Sequence, residues 1–121
     1  ANFIDRLRAV SGVAKYYRSA LKDKPGCALA VVWLRDCGAE PTLMSITWAF
    51  FHLGMIPVGA FMNGPFGAVG HSSLGGLGAP DKVDRQLVLK DEHGLRSARF
   101  LVRRGVELAK KLKAGSEALK E

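Results

Sequence analysis

The stretch from Cys27 to Gly59 constrains the fold more than any other part of this chain. It begins with CALAVVWL, an uninterrupted apolar run of strand length that does not alternate with polar residues. Such runs form strands that are buried on both faces, as in parallel sheets. A polar segment, an uncharged helical segment and the short apolar run Met55–Val58 follow. The pattern predicts two neighbouring parallel strands, Cys27–Leu34 and Met55–Val58, linked by a helix.

The spacing of apolar residues also predicts where helices lie. Three segments have helical spacing: Asn2–Ala20, Pro41–Leu53 and about Asp91–Lys113. Gly54 is expected to end the second helix as a left-handed cap residue, and Asp91 to cap the start of the last one. Gly105 lies inside the last helix, where close packing on a sheet would offset its low helix propensity. Residues after Lys113 are expected to fray.

Between Ala60 and Pro80 the sequence predicts a long loop rich in glycine. Loops of this length without regular structure are usually functional or disordered. Phe61, Phe66 and Leu77 make the segment too apolar for simple disorder. A functional loop is therefore the prediction, although its glycine spacing fits neither a dinucleotide-binding nor a Walker motif.

The two cysteines point to a reducing environment. Cys27 and Cys37 fall before and after the predicted strand, too far apart for a disulfide if that strand is extended. No metal-ligand spacing of cysteine and histidine occurs, so no metal site is predicted. With 121 residues and 48% hydrophobic residues, the chain is expected to form one cytoplasmic domain spanning residues 1–121.

The net charge of +7 does not by itself indicate nucleic-acid binding. Most basic residues lie in segments 1–26 and 81–121, interleaved with acidic residues on predicted helices. That arrangement is typical of a solvated helix face. A nucleic-acid interface would need a clustered basic stripe with aromatic or base-reading side chains, and the sequence lacks one.

A membrane alternative arises because residues 41–80 contain no Asp, Glu, Lys or Arg. Leu43–Phe61 has the length of a bilayer span. However, His52 is polar, Gly54 and Pro57 would interrupt a helix, and no second hydrophobic span occurs. A helix buried against a sheet explains the same residues, so no membrane association is predicted.

Six local motifs together resemble one protein family. In chain order they are Asn2–Leu7 (the family's "AFIDRL"), Leu21–Pro25 ("LxGK"), Cys37–Thr42 ("GGQExT"), Phe51–Met55 ("HHGM"), Gly67–Gly78 (a late glycine-rich loop) and Leu95–Leu112 ("ARxLGRRVAELAKKL"). The chain resembles the C-terminal half of flavodoxin-like NAD(P)H:quinone oxidoreductases of the tryptophan repressor-binding protein type. NADPH-dependent FMN reductases are close relatives of that family.

The resemblance implies an α/β, flavodoxin-like fold whose N-terminal half is absent from this sequence. It implies FMN as cofactor, NAD(P)H as co-substrate and a quinone or similar small molecule as acceptor. The implied cofactor-binding residues are Trp33, Leu34, Arg35, Asp36, Cys37, Gly38 and Leu53. The implied walls of the substrate pocket are Phe61, Phe66 and His71.

The phosphate-binding loop of the flavodoxin-like fold has no counterpart in this sequence. Because contacts to the phosphate anchor FMN through charge-assisted hydrogen bonds, the chain alone is expected to bind FMN poorly. We expect an oxidoreductase assembly in which a second chain supplies the missing half. The alternative is a flavin-free module that forms homo-oligomers or binds a partner. On either interpretation the chain is not expected to be a monomer.

Overall fold

The computed structural model of this chain describes Arg6 and residues 20–61, 64–79 and 86–119. Within those ranges lie four short strands and two helices. In order they are β1 (Pro25–Cys27), β2 (Leu29–Val32), α1 (Ala39–His52), β3 (Ile56–Val58), β4 (Ala68–His71) and α2 (Glu92–Ala118). Short 3-10 turns occupy Leu74–Gly76 and Leu87–Lys90. The helix predicted for Asn2–Ala20 lies outside the described residues, Arg6 and Ala20 excepted.

The strands pair in parallel, but the partners differ from the prediction. Of the predicted strand Cys27–Leu34, only Cys27 lies beside β3, because β3 pairs with Pro25–Cys27 and the rest of the apolar run pairs with β4. β1 pairs with β3, and β2 pairs with β4. The backbone N–H groups of Ile56, Ala68 and Ser72 donate to three carbonyls on the first strand, those of Lys24, Ala28 and Val32 (2.9–3.0 Å). These acceptors are four residues apart, so they point to the same edge of an extended chain. β3 and β4 are therefore successive partners along one edge of the continuous segment β1–β2.

The prediction that Ala60–Pro80 is entirely loop is wrong. The chain turns away after β3. The Ala60 N–H donates to the Gly64 carbonyl (2.9 Å), and the Gly67 N–H donates to the same carbonyl across a turn at Pro65 and Phe66 (3.1 Å). The chain then pairs with β2 as strand β4. The sequence Ala68-Val-Gly-His71 has little strand propensity, so pairing with β2, rather than local preference, forms this strand.

The two helices cover opposite faces of the strands. From α1, Leu43 packs against Ala28 and Ala30. From α2, Leu101 packs against Val58, Ala60 and Ala68. Since side chains alternate along a strand, the even-numbered residues of β1–β2 meet α1 and Cys27 meets α2. The result is a three-layer α/β/α arrangement, in agreement with the predicted α/β class.

Helix α2 confirms the predicted apolar stripe and cap. The Asp91 side chain accepts a hydrogen bond from the Gly94 N–H (3.0 Å) at its start. A Cβ atom on Gly105 would come within 2.7 Å of the Cys27 sulfur, so glycine lets this helix approach β1 closely. The fraying predicted after Lys113 is wrong for residues up to Ala118, which continue the helix.

The prediction that the first strand is covered on both faces is also wrong. Leu29 is 49% exposed and Val31 is 62% exposed. α2 crosses the sheet beside Cys27 and β4, and a cavity of about 150 Å³ separates Leu29 and Val31 from Leu95 and Ala98 of α2. One face of β2 is therefore left open.

A single helix over Leu43–Phe61 is excluded. α1 ends at His52, and Gly54 takes a left-handed conformation (φ 71°), as predicted, before β3 begins. The Asp23 N–H donates to the Gly54 carbonyl (2.8 Å), which holds this turn against the start of β1. In the described part of the chain, neither helix combines the length and the apolar character needed to cross a bilayer.

Candidate functional site

Two loops meet where β2 and β4 end. The Arg35 N–H donates to the Gly76 carbonyl (2.8 Å), and Leu34 forms an antiparallel bridge with Leu77. The buried Ser73 hydroxyl donates to the Trp33 carbonyl, and it also accepts from a backbone N–H in its own loop. Loops 33–38 and 72–78 are thus held together at the carboxyl edge of parallel strands, where α/β proteins usually bind ligands.

Glycines shape the second of these loops. Gly75 and Gly76 have positive φ angles of 58° and 72°, which side chains disfavour. A Cβ on Gly76 would lie 2.8 Å from Cδ2 of the His71 ring. The Gly75 carbonyl accepts from the Arg35 guanidinium (3.3 Å). Glycine at these positions lets the loop lie directly against His71 and Arg35.

A histidine and an aspartate form a hydrogen-bonded pair at this edge. The His71 Nδ1 lies 3.1 Å from the Asp91 Oδ2, and the His71 backbone N–H donates to the same oxygen (2.8 Å). Both side chains are mostly buried, at 21% and 16% exposure. Asp91 therefore joins the end of β4 to the start of α2 while it orients the imidazole ring.

The environment of Asp91 favours its ionised form. Burial alone would raise the pKa of this carboxyl group. Hydrogen bonds from the Gly94 and His71 backbone N–H groups, together with the His71 ring, outweigh burial and lower the pKa below its usual value. The carboxylate is therefore charged at neutral pH and acts only as a hydrogen-bond acceptor.

The lowered pKa of Asp91 predicts an acid-dependent loss of stability. A carboxyl group with a depressed folded-state pKa contributes stability above its unfolded pKa, about 3.9, and loses it as the pH falls through the folded value. Asp91→Asn keeps a good cap but cannot ionise. We expect urea unfolding to show wild type more stable than Asp91→Asn at about pH 5, with the difference shrinking below about pH 4. A difference that is constant or grows over this interval would contradict the prediction.

A cavity of about 320 Å³ opens beside the pair. Side chains of both charges and two leucines line it. They come from both loops and from the start of α2: Arg35, His71, Ser73, Leu74, Leu87, Lys90, Asp91, Glu92 and His93. A second depression of about 510 Å³ shares Arg35, His71, Asp91 and His93. The histidine–aspartate pair thus lies between two adjoining concave surfaces.

The structure brings some of the predicted site residues together. Arg35 and His71 line the same cavity, and the Trp33 and Leu34 backbones are tied to the neighbouring loop. The Trp33 side chain is 52% exposed. Asp36, Cys37 and Gly38 follow in the same exposed turn, and Cys37 is a free thiol.

Three other predicted residues lie elsewhere. Leu53 is buried behind the end of α1, at the amino edge of the strands, whereas loop 33–38 lies at the carboxyl edge. Phe61 and Phe66 are exposed on the turn between β3 and β4. None of the three lines the cavity beside His71.

Asp91 and Ser73 are site residues that the sequence analysis did not assign. Asp91 was predicted only as a helix cap, because nothing local links it to a histidine 20 residues earlier. A strand that ends in His71 and a helix that starts at Asp91 would have suggested the pair, but β4 was not predicted. Ser73 was not assigned for the same reason, because it lies two residues after the end of β4.

Comparison with known proteins yields no match for this chain. No protein-family model matches it, and neither a curated protein nor a solved structure is significantly similar to it. What this site does must therefore be inferred from its own residues.

Proposed function

We propose that this chain is one half of a flavodoxin-like, FMN-dependent NAD(P)H:quinone or flavin oxidoreductase and acts in an assembly that completes the sheet. The observation that carries the proposal is the unfinished side of β1–β2. Its paired edge is occupied by β3 and β4, while the opposite edge has no strand partner among the described residues. Leu29 and Val31 are left open on the adjoining face. Further strands would pair with the open edge, and a further helix would cover Leu29 and Val31.

The order of the elements supports the same proposal. In the parallel strand–helix–strand unit, the loop between β2 and α1 carries the half-exposed Trp33. After β3 the chain returns to the same edge as β4. The flavodoxin-like resemblance requires a ligand-binding loop at this place. Polar and charged groups are present there, in the cavity beside His71.

The residues present fit the ring of FMN but not its phosphate. Trp33 offers an exposed aromatic surface, and a Cβ on Gly38 would meet no atom within 4 Å, so a planar group can approach this loop closely. No hydroxyl-rich phosphate loop occurs in the sequence. The complementing half would therefore hold the phosphate. FMN, when bound, supplies hydride chemistry, and this chain's loops supply position and polarity.

Complementation tests the proposal directly. The second component is a polypeptide with the first three strands and both flavin loops of a flavodoxin-like quinone reductase. We expect the chain alone to bind FMN weakly and the mixture to quench flavin fluorescence with an affinity at least about a hundredfold higher, the equivalent of about 2.7 kcal/mol. Micromolar FMN binding by the chain alone would contradict the division of the site between two halves.

A matched pair of variants locates the contact surface. Val31→Lys places a charge on the open face of β2, whereas Val106→Lys places one on the outer surface of α2, where Val106 is 50% exposed. Complementation should fail with Val31→Lys and persist with Val106→Lys. Equal behaviour of the two variants would show that the open face of β2 is not where the other half binds.

One observation favours the alternative of a flavin-free homo-oligomer. Met44, Trp48 and Phe51 recur at helical spacing on the outer side of α1, and Trp48 is 67% exposed. The chain carries a net charge of +7, yet α1 contains only one charged residue, Glu40. A second copy could contact this side of α1 without bringing like charges together. Sedimentation of the chain without flavin distinguishes the two: a stable dimer that Trp48→Lys dissociates would favour the alternative.

A further inference from the structure

The contact with Asp91 determines which nitrogen of the His71 ring carries a proton. Asp91 is ionised and can only accept hydrogen bonds, so the Nδ1 atom 3.1 Å away must be the donor. In the neutral ring, the other nitrogen, Nε2, then presents a lone pair. This is the orientation that a carboxylate gives to a histidine that acts as a base.

The second ring nitrogen of His71, Nε2, takes no part in the contact with Asp91. His71 lines the 320 Å³ cavity. Within residues 20–61, 64–79 and 86–119, Nε2 has no hydrogen-bond partner. The Arg35 guanidinium lines the same cavity and would favour an oxygen that gains negative charge. A hydroxyl group that ionises in the cavity needs a basic nitrogen to accept its proton and a cation to stabilise the negative charge on its oxygen.

We propose that His71 and Asp91 form a base dyad for a phenolic hydroxyl group bound in this cavity. His71 would contact the ligand, and Asp91 would be a positioning residue. In the transfer step the phenolic O–H bond breaks and an N–H bond forms at Nε2, which leaves a phenolate beside the imidazolium. The reverse step returns the proton, and no electrons move.

The shape and lining of the cavity suit a small aromatic ring. A volume of about 320 Å³ is at the lower end for ligand sites and accommodates one or two rings. Leu74 and Leu87 provide apolar walls, and Gly75 and Gly76 allow close approach of the backbone. Under the proposed function the phenol is the hydroquinone that a quinone reductase releases. That identification rests on the proposed function, whereas the dyad itself does not.

His93 provides an internal comparison. It also lines the cavity, but its Nδ1 lies 2.9 Å from Nη2 of Arg96. A guanidinium group can only donate, so Nδ1 of neutral His93 must accept and its proton is on Nε2. His71 and His93 therefore have opposite tautomers in the same cavity.

The first experiment reads the tautomers by long-range ¹H–¹⁵N NMR of the full chain at mildly alkaline pH. We expect His71 to be protonated on Nδ1 and His93 on Nε2. Asp91→Ser retains a helix cap through its single oxygen but leaves Nδ1 of His71 without its carboxylate acceptor. The variant should therefore lose the preference of His71 for protonation on Nδ1 and leave the tautomer of His93 unchanged. A wild-type His71 protonated on Nε2, or a His71 tautomer that Asp91→Ser leaves unchanged, would overturn the proposal.

The second experiment measures ligand binding with 4-nitrophenol, whose anion absorbs visible light. Binding to wild type at neutral pH should increase the phenolate absorbance. His71→Gln and Asp91→Ser should weaken binding about tenfold, the loss typical of one hydrogen bond. His52→Gln, at an exposed histidine in the last turn of α1 outside the cavity, should bind like wild type. 4-Nitroanisole, which lacks the hydroxyl group, should bind equally to wild type and His71→Gln.

Two outcomes of the binding experiment would overturn the dyad. Absence of 4-nitrophenol binding is one, and equal binding by His71→Gln and His52→Gln is the other. Neither experiment involves flavin. If complementation fails but the NMR and binding experiments give the expected results, the proposed reductase function is contradicted and the dyad is supported. If complementation succeeds but those two experiments do not give the expected results, the reductase function is supported and the dyad is contradicted.

Discussion

Gly67→Ala is expected to lower the free energy of unfolding by about 3 kcal/mol or more. Gly67 has a φ angle of 145°, which side chains rarely adopt. A Cβ there would overlap the carbonyl oxygen of Ala28 and lie 2.9 Å from Cδ2 of Leu43. The carbonyl cannot move aside, because it accepts the Ala68 N–H (3.0 Å) that starts β4. The variant would therefore lose β4 together with the loop that follows it.

Gly115→Ala is the matched control for this substitution. A Cβ on Gly115 would meet no atom within 4 Å, and the residue lies inside α2. Alanine there should stabilise the chain by up to about 1 kcal/mol through helix propensity. Urea unfolding followed by circular dichroism measures both variants. If the free energy of unfolding of Gly67→Ala lay within about 1 kcal/mol of wild type, the backbone where β4 begins would not be tightly constrained.

Local signals in the sequence account for the parts of the fold that were predicted. The apolar run before Arg35, the uncharged helical segment and Gly54 are each contiguous and each specify one element. They predicted a parallel strand–helix–strand unit and the left-handed turn between α1 and β3. They did not predict that β3 would pair with Pro25–Cys27 and leave most of the apolar run to β4. Asp91 as a cap and the apolar stripe of α2 were predicted for the same reason.

Non-local pairing accounts for what was not predicted. β4 exists because a tight turn at Gly64 returns the chain to β2, and its own sequence has no strand pattern. The pairing of His71 with Asp91 depends on β4 and on where α2 begins. The exposure of Leu29 and Val31 also could not be predicted, since an apolar run gives no information on whether enough helices exist to cover it.

Leu101→Ala is expected to cost about 2–5 kcal/mol, the range for large-to-small substitutions in a core. Leu101 is fully buried and packs against Val58, Ala60 and Ala68. It is the residue through which α2 contacts both β3 and the start of β4. Removing its side chain leaves a cavity where small alanines offer little to refill it.

The same substitution should disturb the candidate site from a distance. Asp91 begins the helix whose packing depends on Leu101, and its carboxylate reaches His71 only while α2 stays against β4. In urea, Leu101→Ala should therefore lose the His71 Nδ1–H signal at a lower concentration than wild type, together with the circular dichroism of the helix.

Val102→Ala, at a side chain 50% exposed one residue later, should change stability by less than about 0.5 kcal/mol. Equal effects of Leu101→Ala and Val102→Ala would mean that α2 is not held by its buried face. Survival of the His71 signal after the helix unfolds would mean that Asp91 orients the ring without α2.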